Sequence, residues 1–320
     1  MHHSPMRIVS LLASATEIVY ELGLGDQLVA ISHECDFPPE ALKKPRASRP
    51  RFDPQGLSSG GIDAAVRESM ALHGSVYEVD ADLLRMLAPD LILAQAVCEV
   101  CAVPTSLAET VAKALGTRPR ILSLDCHTIS DIIEAVVNVG EAAGVAVRAE
   151  MVAARLHVRL ETVAARVRGA ERPRVLAIEW LDPPFVPGHW APEMVTLAGG
   201  QDLFGTPARP SRQMTWEALS GADPDVLLIM PCGYGLEQSR RDADRHADWL
   251  LAVAQRAVES GRAYVVDGSS YFNRSGPRMA TGVEILGTLL HPERFPEIEL
   301  EGKGELWEPS HQAHSFGGKT

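Results

Sequence analysis

Two stretches of this chain enter an apolar run through the same Pro-Asp step. Leu87-Ala88-Pro89-Asp90-Leu91-Ile92-Leu93 is echoed by Gly221-Ala222-Asp223-Pro224-Asp225-Val226-Leu227-Leu228. Proline stops the helix before it, and the branched run after it has the length of a buried strand. Strand and helix signals alternate around each junction. In the first half, strands are expected at 7–12, 27–32, 91–95 and 120–124, with helices at 14–24, 80–87 and 105–115. In the second half, strands are expected at 174–179, 225–230 and 263–267, with helices at 191–198, 215–220, 247–259 and 279–290. Such alternation predicts an α/β protein of two Rossmann-like lobes, each a mostly parallel sheet covered by helices. Ser14 and Glu17 have the Ser-x-x-Glu spacing of a capping box opening the first helix.

Between the two halves a helical pattern runs from Thr128 to Gly169 without a proline. As one helix it would be roughly 60 Å long, a strut joining the lobes. The alternative is two ordinary helices broken near Gly144. The expected boundaries are an N-terminal lobe at 6–127, a connecting helix at 128–169, a C-terminal lobe at 170–295 and a disordered polar tail at 296–320. The segment Arg51 to Tyr77, with Ser58-Ser59-Gly60-Gly61 and a short helix, has the look of an insertion.

Bulk properties narrow the function. The 320 residues suffice for two cores. A net charge of −12 without a Lys/Arg cluster argues against a nucleic-acid groove. No run reaches the roughly 18 apolar residues of a membrane span. Met1 to Pro5 is short and polar where a secretory leader needs a basic start and an apolar run. Five cysteines, an odd number, suit a reducing compartment. These features predict a cytoplasmic protein; a start codon upstream of Met1 would make it periplasmic.

In an open α/β sheet, ligands bind beyond the carboxyl ends of the strands. The residues following the expected strands are His33-Glu34-Cys35-Asp36, Cys98-Glu99-Val100-Cys101, Asp125-Cys126-His127, Trp180 with His189-Trp190, Pro231-Cys232-Gly233-Tyr234, and Asp267 with Tyr271, Asn273 and Arg274. All five cysteines fall in such loops. Cys126 and Cys232 taken singly read equally well as small buried apolar residues. Cys98 and Cys101 have the spacing to chelate one metal, and His33 is a candidate further ligand. Trp180 and Trp190 read as a stacking wall for a flat ligand, or as core. Arg274 is placed to meet a carboxylate, phosphate or amide. No nucleophile elbow, Walker A loop or His-Glu-x-x-His motif is present.

Several of these segments, in order, carry a family resemblance: Ile8-Val9-Ser10-Leu11 with Ser14-Ala15-Thr16-Glu17, Cys35-Asp36-Phe37-Pro38-Pro39, the two Pro-Asp junctions, Leu197-Ala198-Gly199-Gly200, and Arg274-Ser275-Gly276-Pro277-Arg278. Together they resemble the cobalamin- and iron-siderophore-type (class III) substrate-binding proteins of ABC importers, closest to the cobalamin-binding branch. The resemblance implies two lobes joined by a rigid helix, with a ligand cleft between them. It implies ligand contacts at Tyr271 and Arg274, and carboxylates that dock onto a permease at Asp82 and Glu217. An ordinary helix N-terminal role explains those two acids equally well.

The reading that follows is non-catalytic binding of a cobalamin-like corrinoid. Trp180, Trp190 and Tyr271 would form the walls, with polar contacts from Glu34, Asn273 and Arg274. The first alternative is a metal ion or an iron or zinc species held by Cys98, Cys101 and His33; the second is a cytoplasmic thiol- or corrinoid-dependent enzyme. No resident cofactor is required, an ABC permease is the candidate protein partner, and a monomer is expected.

Overall fold

The computed structural model describes residues 5–96, 103–114 and 119–309. They divide into two units. The first contains the chain to Leu57, then Gly61–Arg159 and Arg274–Ala280; the second contains Ser58–Gly60, Leu160–Asn273 and the chain from Thr281.

The first unit is built on β1 (Ile8–Ser10), α1 (Ala13–Glu21), β2 (Leu28–Ala30), β3 (Ser48–Pro50), α2 (Ser59–His73), β4 (Tyr77–Val79), α3 (Ala81–Leu87), β5 (Leu91–Ala94), α4 (Thr105–Ala114) and β6 (Arg120–Ser123). Its main sheet has the order β2-β1-β5-β6 with every pair parallel. β5 is buried on both faces, which its unbroken Leu-Ile-Leu-Ala run requires. β3 and β4 form a separate antiparallel pair. The insertion expected at 51–77 therefore contains a 15-residue helix rather than a short one.

α5 (Ile129–Ala142) and α6 (Ala146–Arg166) follow. The single strut expected over 128–169 is thus two helices. Gly144 takes a left-handed φ of +75°, and the Val145 N–H returns to the Gly140 carbonyl at 2.7 Å, which ends α5. Thr128 and Asp131 form a reciprocal capping box at the start of α5. Ser14 and Glu17 do not. α1 begins after Leu12 with no side-chain cap, and both residues are buried within it. A buried carboxylate needs a cation more than a backbone N–H does, and Glu17 finds one in Arg278.

The second unit contains β7 (Arg174–Ile178), β8 (Trp180–Leu181), β9 (Pro184–Val186), α7 (Ala191–Leu197), β10 (Gln201–Asp202), β11 (Arg212–Gln213), α8 (Trp216–Leu219), β12 (Val226–Ile229), α9 (Leu236–Arg245), α10 (Ala247–Glu259), β13 (Ala263–Val266), α11 (Gly268–Tyr271), α12 (Met279–Leu290) and β14 (Gly304–Leu306). α12 starts in the stretch assigned to the first unit. The main sheet runs β10-β7-β12-β13-β14, parallel except for its edge strand β14. β14 corrects the expectation of disorder from residue 296, for Trp307 beside it is buried in the core with Leu176, Leu227 and Val265. Residues 310–320 of that tail lie outside the described residues.

The repeated Pro-Asp step has the same geometry in both units. Ala88 and Asp223, each just before the proline, share a left-handed φ of 42°. Asp90 Oδ2 accepts from the Arg7 N–H at 2.8 Å, and Asp225 Oδ2 accepts from the Arg174 N–H at 2.7 Å. In each unit this carboxylate fixes the entry of one strand against the neighbour it pairs with.

Candidate functional site

In the first unit, the loop after β2 meets the returning segment 274–280 in a charge cluster. Arg274 donates to Asp36 through both prongs, Nη1 to Oδ1 at 2.5 Å and Nη2 to Oδ2 at 2.9 Å. It also donates to the Glu34 carbonyl at 3.3 Å. Arg278 donates to Glu17 Oε1 at 2.7 Å, and its guanidinium lies 4.3 Å from the centre of the Phe37 ring. Burial raises the Glu17 carboxyl above its usual range, against the pull of the two arginines. Burial acts the same way on Asp36, but the Arg274 fork outweighs it and holds that carboxyl low.

The same loop holds His33 and Glu34. His33 Nδ1 is 2.9 Å from Ser48 Oγ, and Nε2 is 3.2 Å from Glu34 Oε1. The bond from His33 holds the Glu34 carboxyl below its usual range. Glu34 itself is nearly half exposed, so this is a polar group presented to solvent. Cys35 is buried against Thr16 Oγ1 at 3.0 Å and Ser32 Oγ at 3.2 Å, and burial pushes its thiol up. Cys126 is also buried, its thiol pushed up to about 12. Both therefore sit in the interior as small apolar side chains. Among the described residues, no three His, Cys, Asp or Glu side chains gather as metal ligands. Cys98 and Cys101 lie outside the described residues, and the two ring nitrogens of His33 face Ser48 Oγ and Glu34 Oε1.

In the second unit, three loops at the carboxyl ends of β7, β12 and β13 are tied together. The Cys232 N–H donates to the Glu179 carbonyl at 3.0 Å, and the Ser269 N–H to the Tyr234 carbonyl at 3.0 Å. The Asn273 amide donates to the Met230 carbonyl at 2.9 Å, so Asn273 braces two loops. Trp180 donates its indole N–H to the Asp182 carbonyl at 3.0 Å, and its ring lies 5.1 Å from that of Tyr234. Trp190 donates to the Phe272 carbonyl at 2.7 Å. Both indoles are half-buried, their polar ends satisfied and their orientation fixed. Tyr271 ends α11, and its carbonyl approaches Gly282 so closely that a Cβ there would sit 2.3 Å away.

The two candidate docking acids share a placement. Asp82 is exposed in the first turn of α3, paired with Arg85, and Glu217 is exposed in the first turn of α8. Each helix leads into a Pro-Asp junction.

Sequence reasoning named Trp180, Trp190, Tyr271, Asn273, Glu34 and Arg274, but missed three partners that define their setting. Tyr234 and Asp36 are visible in the sequence only as members of strand-end loops, and Glu17 only as half of a capping box. The signal available for Asp36 and Glu17 was a pair of arginines, Arg274 and Arg278, at helical spacing in a segment poor in acids.

A model of the periplasmic binding protein family matches residues 8–269. The sequence is 24% identical over 307 residues to the uncharacterised ABC transporter substrate-binding lipoprotein YvrC of Bacillus subtilis, covering 92% of this chain and 82% of that one. The structure of the periplasmic vitamin B12 binding protein BtuF of Vibrio cholerae superposes with a TM-score of 0.65 at 23% identity, covering 91% of this chain and 98% of that one. The periplasmic heme-binding protein RhuT of Roseiflexus sp. RS-1, in its apo form, gives a TM-score of 0.63 at 21% identity, covering 91% and 100%. At these identities the structural likeness establishes the fold.

Proposed function

Because the chain belongs to the periplasmic binding protein family, we propose that it is the substrate-binding component of an ABC importer and carries a cobalamin-like corrinoid without transforming it. The observation that carries the ligand class is the aromatic set at the carboxyl ends of the second unit's strands. Trp180, braced by Tyr234, and Trp190 are half-buried rings whose indole N–H groups are hydrogen-bonded, and Tyr271 is a third half-buried ring at the end of α11. Rigid aromatic faces suit a large flat macrocycle, which gains contact area there at little entropic cost. Asn273, beside this set, supplies a polar contact. Asp82 and Glu217 are the exposed carboxylates through which the protein meets arginines of its permease. Work at a membrane transporter places the protein outside the cytoplasm, in keeping with relatives described as a periplasmic protein and a lipoprotein.

A second reading keeps the flat macrocycle and changes the metal, since a relative of the same fold is described as heme-binding. Titration of the purified protein with cyanocobalamin, hydroxocobalamin and hemin, followed by calorimetry and visible absorbance, separates the two. Saturable binding of the corrinoids, weakened at least about tenfold by Trp180→Ala, is the expected result. Saturation by hemin alone would replace the corrinoid with a porphyrin. No heat and no spectral change with any of the three would overturn both readings.

A further inference from the structure

Two tryptophans outside the strand-end set form a pair on the surface of the second unit. Trp216 opens α8 and is half-buried, packed against the core cluster that includes Leu219 and Leu250. Trp249, in the first turn of α10, stacks on it with ring centroids 6.0 Å apart and planes 10° apart. Trp249 nevertheless remains 48% exposed. Each indole has an exposed acid as its chain neighbour, Glu217 after Trp216 and Asp248 before Trp249. Among the described residues neither of these carboxylates has a cation partner, whereas Asp82 is paired with Arg85.

We infer that an arginine-bearing segment of the partner protein docks on this patch. The inference deepens the docking role proposed for Glu217 and rests on it, adding Trp249 and Asp248 to the contact. The chemistry of the patch selects its occupant. An unpaired carboxylate calls for a cation, and an aromatic face attracts one that comes within about 6 Å of its centre. Guanidinium meets both demands at once, because it is planar, stacks on indole and donates to a carboxylate in its own plane. Ammonium is more strongly hydrated and gives up more water to reach the ring. An apolar or acidic partner would leave Glu217 and Asp248 uncompensated beneath it. The net charge of −12 draws any cation towards the protein, and the stacked indoles are what favour arginine over lysine.

Fluorescence anisotropy of labelled hexa-arginine and hexa-lysine peptides, titrated with the full chain at physiological salt, tests it. Hexa-arginine should bind at least about threefold tighter than hexa-lysine. Trp249→Ala changes no charge, leaves the long-range attraction as it was, and should abolish that preference. Glu217→Gln/Asp248→Asn should weaken hexa-arginine at least about threefold. Leu72→Ala, at a 68% exposed side chain of α2, should change neither. These positions are at the surface, so thermal unfolding should show each variant folded. Equal affinity for the two peptides in wild type, or an arginine preference that survives Trp249→Ala, overturns the inference and leaves the docking role of Glu217 standing. Hexa-arginine binding that is indifferent to Glu217→Gln/Asp248→Asn overturns both, since acids that serve only their own helix N-termini would not move it.

Discussion

Asp36 and Arg274, separated by 238 residues in sequence, are joined by two parallel hydrogen bonds at 2.5 and 2.9 Å. The pair closes the segment 274–280 onto the first unit, together with Arg278 on Glu17 and Ser275 Oγ 3.3 Å from Ser14 Oγ. Arg274 is only 11% exposed, whereas Asp36 is 55% exposed, so solvent screens the pair from one side. Asp36→Asn should therefore destabilise the protein by about 1 kcal/mol at pH 7, not the several expected of a fully buried pair. The pH dependence has a definite sign. The Asp36 carboxyl is held below its ordinary 3.8, so its contribution is complete above that value and disappears as pH falls through the lower, folded one. Urea unfolding at pH 7 and near pH 3 should show the wild-type advantage shrinking at the lower pH. An advantage that is constant, or larger in acid, contradicts the assignment.

Asp242 of α9 presents the opposite case. Its side chain is 1% exposed and receives one hydrogen bond, from Ser59 Oγ at 3.2 Å, while its Oδ2 has no hydrogen-bond partner. His246 Nδ1 and Arg245 Nη1 both stand off at 3.8 Å, and the Asp182 carboxylate adds like charge. Burial dominates and raises the carboxyl above 3.8. A raised acid favours folding below its unfolded pKa and opposes it once pH climbs through the folded value. Asp242→Asn can keep the Ser59 bond and removes the buried charge, so it should stabilise the protein by about 1 kcal/mol at pH 8. The gain should vanish near pH 4. Arg245, half exposed, is hydrated when its partner goes. A variant less stable than wild type at pH 8 would mean that the ion pairs with Arg245 and His246 outweigh burial.

The sheet strands were legible because their signals are local. Continuous apolar runs such as Leu91–Ala94 and Val226–Ile229 are buried on both faces, and Pro89 and Pro224 mark where they begin. α9 and β14 were missed for the reverse reason. α9, Leu236–Arg245, is so rich in charge that its narrow buried face, Ser239, Asp242 and Ala243, has no apolar periodicity to detect. β14 has three residues in a polar tail, and only the neighbouring Trp307 hinted at a core contact. At the candidate site, residue types in the strand-end loops could be read directly. Their partners could not, since Tyr234 beside Trp180 and Asp36 beside Arg274 depend on which loops fold together. Ser14 and Glu17 matched a local motif and were claimed by residues 261 positions away.

The cysteines differ in ways a thiol reagent can count. Cys35 and Cys126 are buried with raised pKa values, whereas Cys232 is half-buried in the loop after β12. Thiol reactivity follows thiolate fraction and access. In a Cys98→Ser/Cys101→Ser background, a disulfide-exchange dye at pH 8 should therefore label one thiol per native chain, with Cys232→Ser removing that signal. Full labelling should need denaturant. Prompt reaction of all three in the native protein would show that the Cys35 and Cys126 sites open on the timescale of the assay.

Trp307 tests whether the chain beyond residue 296 belongs to the fold. Its N–H donates to the Ala263 carbonyl at 2.7 Å, its indole donates to Asp244 Oδ1 at 3.0 Å, and its ring is 1% exposed. Trp307→Ala should cost about 3–5 kcal/mol, the range for removing a large buried aromatic. Trp307→Phe keeps most of the packing and loses the indole bond to Asp244, so its cost should be nearer about 1 kcal/mol. The ordering of the two variants separates packing from the hydrogen bond. Ending the chain at Glu299 removes β14 and uncovers the edge of β13, and this should cost at least as much as Trp307→Ala while adding a tendency to aggregate through the exposed strand. A truncated chain with unchanged thermal stability would mean that β13 is a sufficient edge on its own and that Trp307 covers a core already closed.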